Sequence, residues 1–219
     1  VCAQDIPHAR AAILVFVRAP EAGRVKTRLA ASIGADAALR VYRRLAEHTV
    51  REALAVAGAE VRVHFTPADA EAAVRAWLGD GPALLPQAEG DLGERMRDAF
   101  AQAFADGHRR VVIIGSDLPE MRTDLLRRAI APLDEHEAVI GPARDGGYYL
   151  LGLTWLVEGV FDGIAWSTPG VLAATLERLA AAGITPALLE SLTDVDEVGD
   201  LPPGWLNAGA FHVEHDRLS

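Results

Sequence analysis

The chain has 219 residues, 50% of them hydrophobic and 24% charged, an ordinary globular composition that excludes a disordered or fibrous chain and suits one α/β domain. A formal net charge of -10 sets long-range repulsion against nucleic-acid phosphates and anionic lipid, so any phosphate binding has to be local. Cys2 is the single cysteine and cannot form an internal disulfide; nothing demands an oxidising compartment, and the cytoplasm is the expected location.

The apolar stretch from Ala11 to Val17 ends at Arg18 with no small-residue cleavage pattern, so Ala12 to Val17 reads as a strand buried on both faces rather than a signal-peptide core. Asp36 to Ala57 carries apolar side chains at helical spacing and stops at Gly58. Val61, Val63 and Phe65 predict a second strand, Ala68 to Leu78 a helix, and Ala83 to Leu85 a short strand. Leu92 to Ala103 predicts an amphipathic helix, and Val111 to Ile114 a central strand that stops at Gly115-Ser116-Asp117. Leu125 to Leu133 predicts a helix, and strands at Ala138 to Gly141 and Tyr148 to Leu153 flank the turn signal Asp145-Gly146-Gly147. Val171 to Ala182 predicts the last helix, followed by a strand near Ala187 to Leu189. No segment reaches the roughly 18 uninterrupted apolar residues of a membrane span. The alternation predicts a mostly parallel central sheet with helices on both faces and an antiparallel element around Gly146. In such sheets ligands sit at strand carboxyl ends, which singles out the segments after Val17 and after Ile114.

Both segments carry chemistry. The loop from Arg18 to Arg28 holds four cations, Arg18, Arg24, Lys26 and Arg28, in an otherwise acidic chain. Such a cluster repels itself unless an anion neutralises it, and Gly23, Lys26 and the arginine forks suit phosphate oxygens. The same composition also suits a solvated basic loop paired with surface carboxylates. A P-loop is excluded, because Gly23 is separated from Lys26 by two residues. Asp117 either meets a cation or caps the next helix, and Mg²⁺ favours carboxylates together with phosphate oxygens. Thr193 to Glu197 is a second acidic cluster, which taken alone reads as a solvated turn. Gly90 and Gly93, in Gln87 to Met96, precede a helix where exposed amides could contact a planar base or a phosphate. Arg144 to Tyr149 reads as a hairpin turn or a site element, and Trp166-Ser167-Thr168 as a helix entrance or a substrate contact. His212 and His215 lack a zinc-enzyme arrangement and are left as tail.

Taken in order, Phe16 to Leu29, Gly90 to Met96, Gly115 to Pro119, Asp145 to Tyr149, Phe161 to Thr168 and Asp194-Val195-Asp196 resemble the DUF2064 family, which is grouped with the GT-A glycosyltransferases. The resemblance covers about Ala12 to Leu201, leaving residues 1–11 as an extension and 202–219 as a tail. It implies a single-domain GT-A fold, Rossmann-like, of the nucleotide-diphospho-sugar transferase type. Similarity to the wider superfamily implies that Lys26 contacts phosphates, that Asp117 binds Mg²⁺ or Mn²⁺ with Asp196 as a second ligand, and that Gly90 and Gly93 lie near the base. Where sugar-nucleotide pyrophosphorylases open on a Gly-x-Gly run, this chain has Arg18-Ala19-Pro20.

The expected activity is metal-dependent transfer from a nucleotide-activated donor, foremost a sugar nucleotide. The alternatives are nucleotidyl transfer that releases pyrophosphate from an NTP, and a nucleotide-binding module without catalysis. Arg18, Gly23, Lys26, Arg28 and Arg95 are the expected nucleotide contacts, and Tyr148, Trp166 and Ser167 the contacts to a sugar or acceptor. Asp145 is the expected acceptor-side base, with Asp145 and Trp166 forming the cleft wall opposite Gly90 and Gly93. The expected partner is a small nucleotide or sugar nucleotide, with no nucleic acid.

Overall fold

The structure, a computed structural model, describes residues 10–203 and residue 205. Cys2, His212 and His215 lie outside the described residues. The first apolar run forms β1 (Ala11–Arg18), in which Ala12, Ile13, Leu14 and Val15 are completely buried. Because successive residues of a strand point to opposite sides, burial of consecutive side chains means that β1 is covered on both faces. The further strands are β2 (Ala59–Thr66), β3 (Ala83–Pro86), β4 (Arg110–Ile114), β5 (Ala138–Pro142), β6 (Tyr148–Leu153) and β7 (Ala187–Leu188). With β1 they form one seven-stranded sheet in the order β3-β2-β1-β4-β6-β5-β7. β6 runs antiparallel to β4 and β5, and every other pairing is parallel. The hairpin expected around Gly146 supplies that reversed strand.

Helices α2 (Ala35–Leu54), α3 (Glu71–Leu78) and α5 (Thr123–Ile130) cover one face, packing on Ile13, Val15, Val63, Phe65, Val112 and Ile114. Helices α4 (Leu92–Ala105) and α6 (Val171–Ala181) cover the other, packing on Ala12, Leu14, Val111 and Ile113. Burying each of the Val, Leu, Ile and Phe side chains among these contributes about 1.5–3 kcal/mol.

Three boundaries depart from the sequence reading for local reasons. Helix α1 (Thr27–Ile33) was not expected; it has two turns and one buried residue, Leu29, too little for a visible period. Gly34, at φ 85°, separates it from α2. The helix expected to reach Leu133 ends as α5 at Ile130 and continues as a 3₁₀ turn, Ala131–Asp134, where Pro132 has no N–H to give. The helix expected from Ala68 opens as a 3₁₀ turn, Ala68–Ala70, before α3.

β1 lies between β2 and β4, and the chain reaches β4 only after running outward through β2 and β3. The connections leaving β1 and β4 therefore part, which opens a crevice at their carboxyl ends. Among the described residues no helix is long and apolar enough to cross a membrane.

Candidate functional site

At the end of β1 the Tyr42 hydroxyl, carried by α2, accepts from the Arg18 N–H at 2.7 Å and donates to the Arg18 carbonyl at 2.8 Å. Burial raises the Tyr42 phenol well above its ordinary range, so it stays a neutral donor. The loop then turns at Lys26, a non-glycine residue in the left-handed region at φ 47° and ψ 50°. That conformation costs about 1–2 kcal/mol and persists only where its surroundings hold it. Here the Lys26 carbonyl accepts from Ala30 N at 2.8 Å to open α1, and its side chain is 5% exposed. The Lys26 Nζ lies 2.9 Å from Asp117 Oδ2 and 3.3 Å from Asp196 Oδ1. Arg28 reaches Asp196 Oδ2 at 3.3 Å.

Asp117 lies three residues past the end of β4. Its backbone carbonyl accepts from Val195 N at 3.1 Å, and Val195 is buried among Leu29, Ala38, Val41 and Leu45. The Asp200 carboxylate accepts from the N–H groups of Asp196 and Glu197. These contacts carry an acidic segment from late in the sequence onto the turn after β4 that bears Asp117. Burial raises the Asp194 carboxyl above its ordinary range, and the charges of Asp145, Asp196 and Asp117 add to that shift.

The donor set suits a divalent cation. Asp117 Oδ1 is buried without a hydrogen-bond partner while Oδ2 is held by Lys26, so an anionic oxygen remains to be satisfied. Among the described residues no three His, Cys, Asp or Glu side chains converge as a ready-made cage. Mg²⁺ keeps several waters and commonly takes one or two carboxylates plus substrate phosphate, the coordination that Asp117 and Asp196 could begin.

Arg18, Lys26, Arg28, Arg95, Asp117, Ser167 and Asp196 all line one cleft of 580 Å³ at the carboxyl ends of β1 and β4. Ser167 enters it at φ 61°, a second non-glycine residue in the left-handed region. Other expected site residues stand elsewhere. Gly23 borders a neighbouring 400 Å³ hollow that shares Arg18, Arg24 and Thr27 with the cleft. Gly90 and Gly93 are absent from the cleft lining: Gly93 is buried in close packing, whereas Gly90 is exposed in the turn before α4 at φ 105°. A Cβ at Gly90 would meet the Glu94 side chain, and one at Gly93 would stand 2.6 Å from the Trp166 ring. Trp166 thus packs on Gly93 and Phe161 rather than forming an opposite wall. Tyr148 packs against the core beneath α4 and α6, its hydroxyl 3.9 Å from Met96 Sδ. Asp145 Oδ1 accepts from Gly147 N at 2.9 Å within its own turn, and Asp145 is not among the cleft lining.

The family model described as an uncharacterized protein conserved in bacteria (DUF2064) matches residues 49–168, more than half of the chain. A protein of Desulfovibrio desulfuricans G20, provisionally named a nucleotide-diphospho-sugar transferase, is 39% identical, with a TM-score of 0.82 over 86% of this chain and 83% of its own. The chain belongs to the DUF2064 family. Its fold is that of the nucleotide-diphospho-sugar transferases. More distant structures share the fold. The 4-diphosphocytidyl-2C-methyl-D-erythritol synthase of Anaerococcus prevotii has a TM-score of 0.58 at 11% identity, over 88% of this chain and 94% of its own. A Mycobacterium tuberculosis H37Rv protein solved in complex with manganese has a TM-score of 0.51 at 18% identity, over 87% and 95%. No curated protein matches the chain. Family and fold together support a transferase enzyme.

This DUF2064 chain also places in the cleft residues that the sequence reading left without a role: Phe16, Tyr42, Thr66, Gln87, Leu92 and Ser116. Thr66 and Gln87 follow the strand-end rule that singled out Asp117, since one ends β2 and the other follows β3. Tyr42 carried no such signal, because it occupies an ordinary core position of α2.

Proposed function

We propose that this DUF2064 protein transfers a group from a nucleotide-activated donor, foremost a sugar nucleotide, with a divalent metal at Asp117 and Asp196. The observation that supports this reading is Lys26, a buried cation joined to two carboxylates on the wall of a cleft that also holds Arg18, Arg24, Arg28 and Arg95. Acids and cations set so closely suit a ligand that brings both negative phosphate oxygens and a metal ion. Bound Mg²⁺ or Mn²⁺ would neutralise diphosphate charge as the donor bond breaks. Lys26 would donate to the phosphates, with Arg18 and Arg28 flanking it. Ser167 would meet the transferred group. Asp145, whose second carboxylate oxygen is not engaged in its turn, would act as the acceptor-side base.

One observation favours a second reading. Five cations in one cleft suit a triphosphate, and with it nucleotidyl transfer. Incubation with Mn²⁺ and a panel of sugar nucleotides or of NTPs with phosphorylated acceptors separates the two. Release of a nucleoside diphosphate supports glycosyl transfer; release of pyrophosphate from an NTP alone replaces it with nucleotidyl transfer. In the active pairing Asp145→Asn should lower turnover roughly 10²- to 10⁴-fold with donor affinity kept, and undiminished turnover would remove Asp145 from the chemistry.

A further inference from the structure

Tyr42 stands at a core position of α2, 4% exposed and with its ring 5.9 Å from that of Trp77, where a phenylalanine would pack as well. What its hydroxyl adds follows from the sheet. Ala19 N donates to the Thr66 carbonyl, so the peptide groups of residues 17 and 19 address β2 and those of Arg18 address the β4 side. β4 no longer runs there, because its pairing with β1 stops at Val15 and Ile114. The Arg18 N–H and carbonyl thus reach the crevice with no strand to take them. One phenol takes both, at 2.7 and 2.8 Å, where a buried pair left unmade would be costly.

The same oxygen reaches the other wall. Its proton is committed to the Arg18 carbonyl, so toward Ser116, whose side chain also hydrogen-bonds it, the phenol accepts. Ser116 is 5% exposed and immediately precedes Asp117. Beyond Asp117 the same helix takes hold again. His48 Nε2 donates to the Met121 carbonyl at 2.6 Å, and Glu52 Oε2 accepts from Thr123 N at 2.9 Å. α2 therefore fixes the acidic turn on both sides of Asp117 and the first residue of the basic loop, and the phenol oxygen joins the two. Arg18, Tyr42, Ser116 and Asp117 all line the cleft.

We infer that Tyr42 is a positioning residue: its hydroxyl sets the loop that begins at Arg18 and carries Lys26 against the turn that carries Asp117, so that an anion on the loop and a cation on the turn come together. This rests on the nucleotide reading above. The hydroxyl supplies neither the cations of the loop nor the carboxylate of the turn. What depends on it is their separation, and a misplacement of about 1 Å is enough to spoil a contact that both must make at once.

The test is calorimetric titration of pyrophosphate in EDTA and of the preformed complex of Mn²⁺ with pyrophosphate, together with the melting temperature of each protein. Wild-type protein should bind the complex more tightly than pyrophosphate alone. Tyr42→Phe keeps the ring and should narrow that gap roughly tenfold, by weakening the complex while pyrophosphate alone binds within about twofold of wild type. A merely structural hydroxyl would lower the melting temperature and leave the gap as it was. Ser116→Ala should narrow it less, and the double variant no further than Tyr42→Phe, since both losses run through one oxygen. Absence of a gap in wild-type protein, an unchanged gap in folded Tyr42→Phe, equal weakening of both titrations, or additive losses in the double variant overturn the inference while leaving the nucleotide reading intact. If wild-type protein binds neither pyrophosphate nor its Mn²⁺ complex, the nucleotide reading fails and takes this one with it. Should Tyr42→Phe not fold, Ser116→Ala decides, and a gap that it leaves unchanged overturns the inference.

Discussion

Two clusters in this molecule are built from the same parts, a nearly buried cation and two carboxylates, and they end differently. Toward the amino ends of the strands, Arg62 on β2 has a side chain 8% exposed and meets Glu60 and Asp106 at 2.7 Å each. His108 closes the group, with Nε2 3.2 Å from Arg62 Nη2 and 3.3 Å from Glu60 Oε2. At the carboxyl ends, Lys26 meets Asp117 and Asp196 at longer range on average, and Asp117 Oδ1 has no partner. More negative charge surrounds it in Asp194, and the cleft opens beside it. The planar guanidinium of Arg62 satisfies its partners through several fixed N–H groups, whereas a lysine ammonium is a point charge that can exchange one anion for another. The Arg62 cluster satisfies its carboxylates and leaves only the buried His108 Nδ1 without a partner, whereas the Lys26 cluster leaves an anionic carboxylate oxygen unpartnered beside an open cleft, which suits a ligand.

The comparison can be broken at Asp117, where the largest effect is expected. Asp117→Asn keeps size and removes the charge, so metal-dependent turnover should fall roughly 10²- to 10³-fold, the loss typical of a group that stabilises transition-state charge. The melting temperature should change little, and a variant that retains wild-type turnover in Mn²⁺ would sink the metal assignment.

A smaller effect concerns His64, on the same strand as Arg62. Burial and then the Arg62 charge push its imidazole down to about 4 from an ordinary value of 6.5. The folded protein keeps His64 neutral while the unfolded chain takes up a proton below about pH 6.5. Its contribution to stability is therefore present above that pH and is lost as pH falls toward 4, by up to roughly 3 kcal/mol. His64→Leu should flatten the decline in melting temperature between pH 7 and pH 4.5. An unchanged acid limb would show that His64 is not its source.

The smallest effect sharpens the contrast most. Arg62→Met should cost about 2 kcal/mol, discounted because its carboxylate partners are more than a third exposed, and divalent metal should not restore it. Lys26→Met should also lower the melting temperature, by crowding unneutralised carboxylates, but Mn²⁺ should recover the loss by binding the native state. If Mn²⁺ raises both variants equally, or neither, the two clusters do not differ in the way described.

The sequence by itself determined the class of fold and half of the site. Short, β-branched apolar runs such as Ile13 to Val15 and Val111 to Ile114 suit strands covered on both faces, and helical periods between them supply the covers. The strand-end rule then located Lys26 and Asp117 before any contact was known. The residue pattern alone read Asp196 as part of a solvated acidic turn and the family resemblance set it beside Asp117; the tertiary structure supplies the reason it stands against Lys26, because Val195 is buried under α1 and α2 and hydrogen-bonded to Asp117. Only packing showed that a side chain at Gly93 would collide with the Trp166 ring and that the Gln87 amide is held by the carbonyls of Val17 and His64. Periodicity reports which face of an element is buried, since burial repeats along the chain. The contacts that orient a single side chain come from segments distant in sequence, and no local pattern records them.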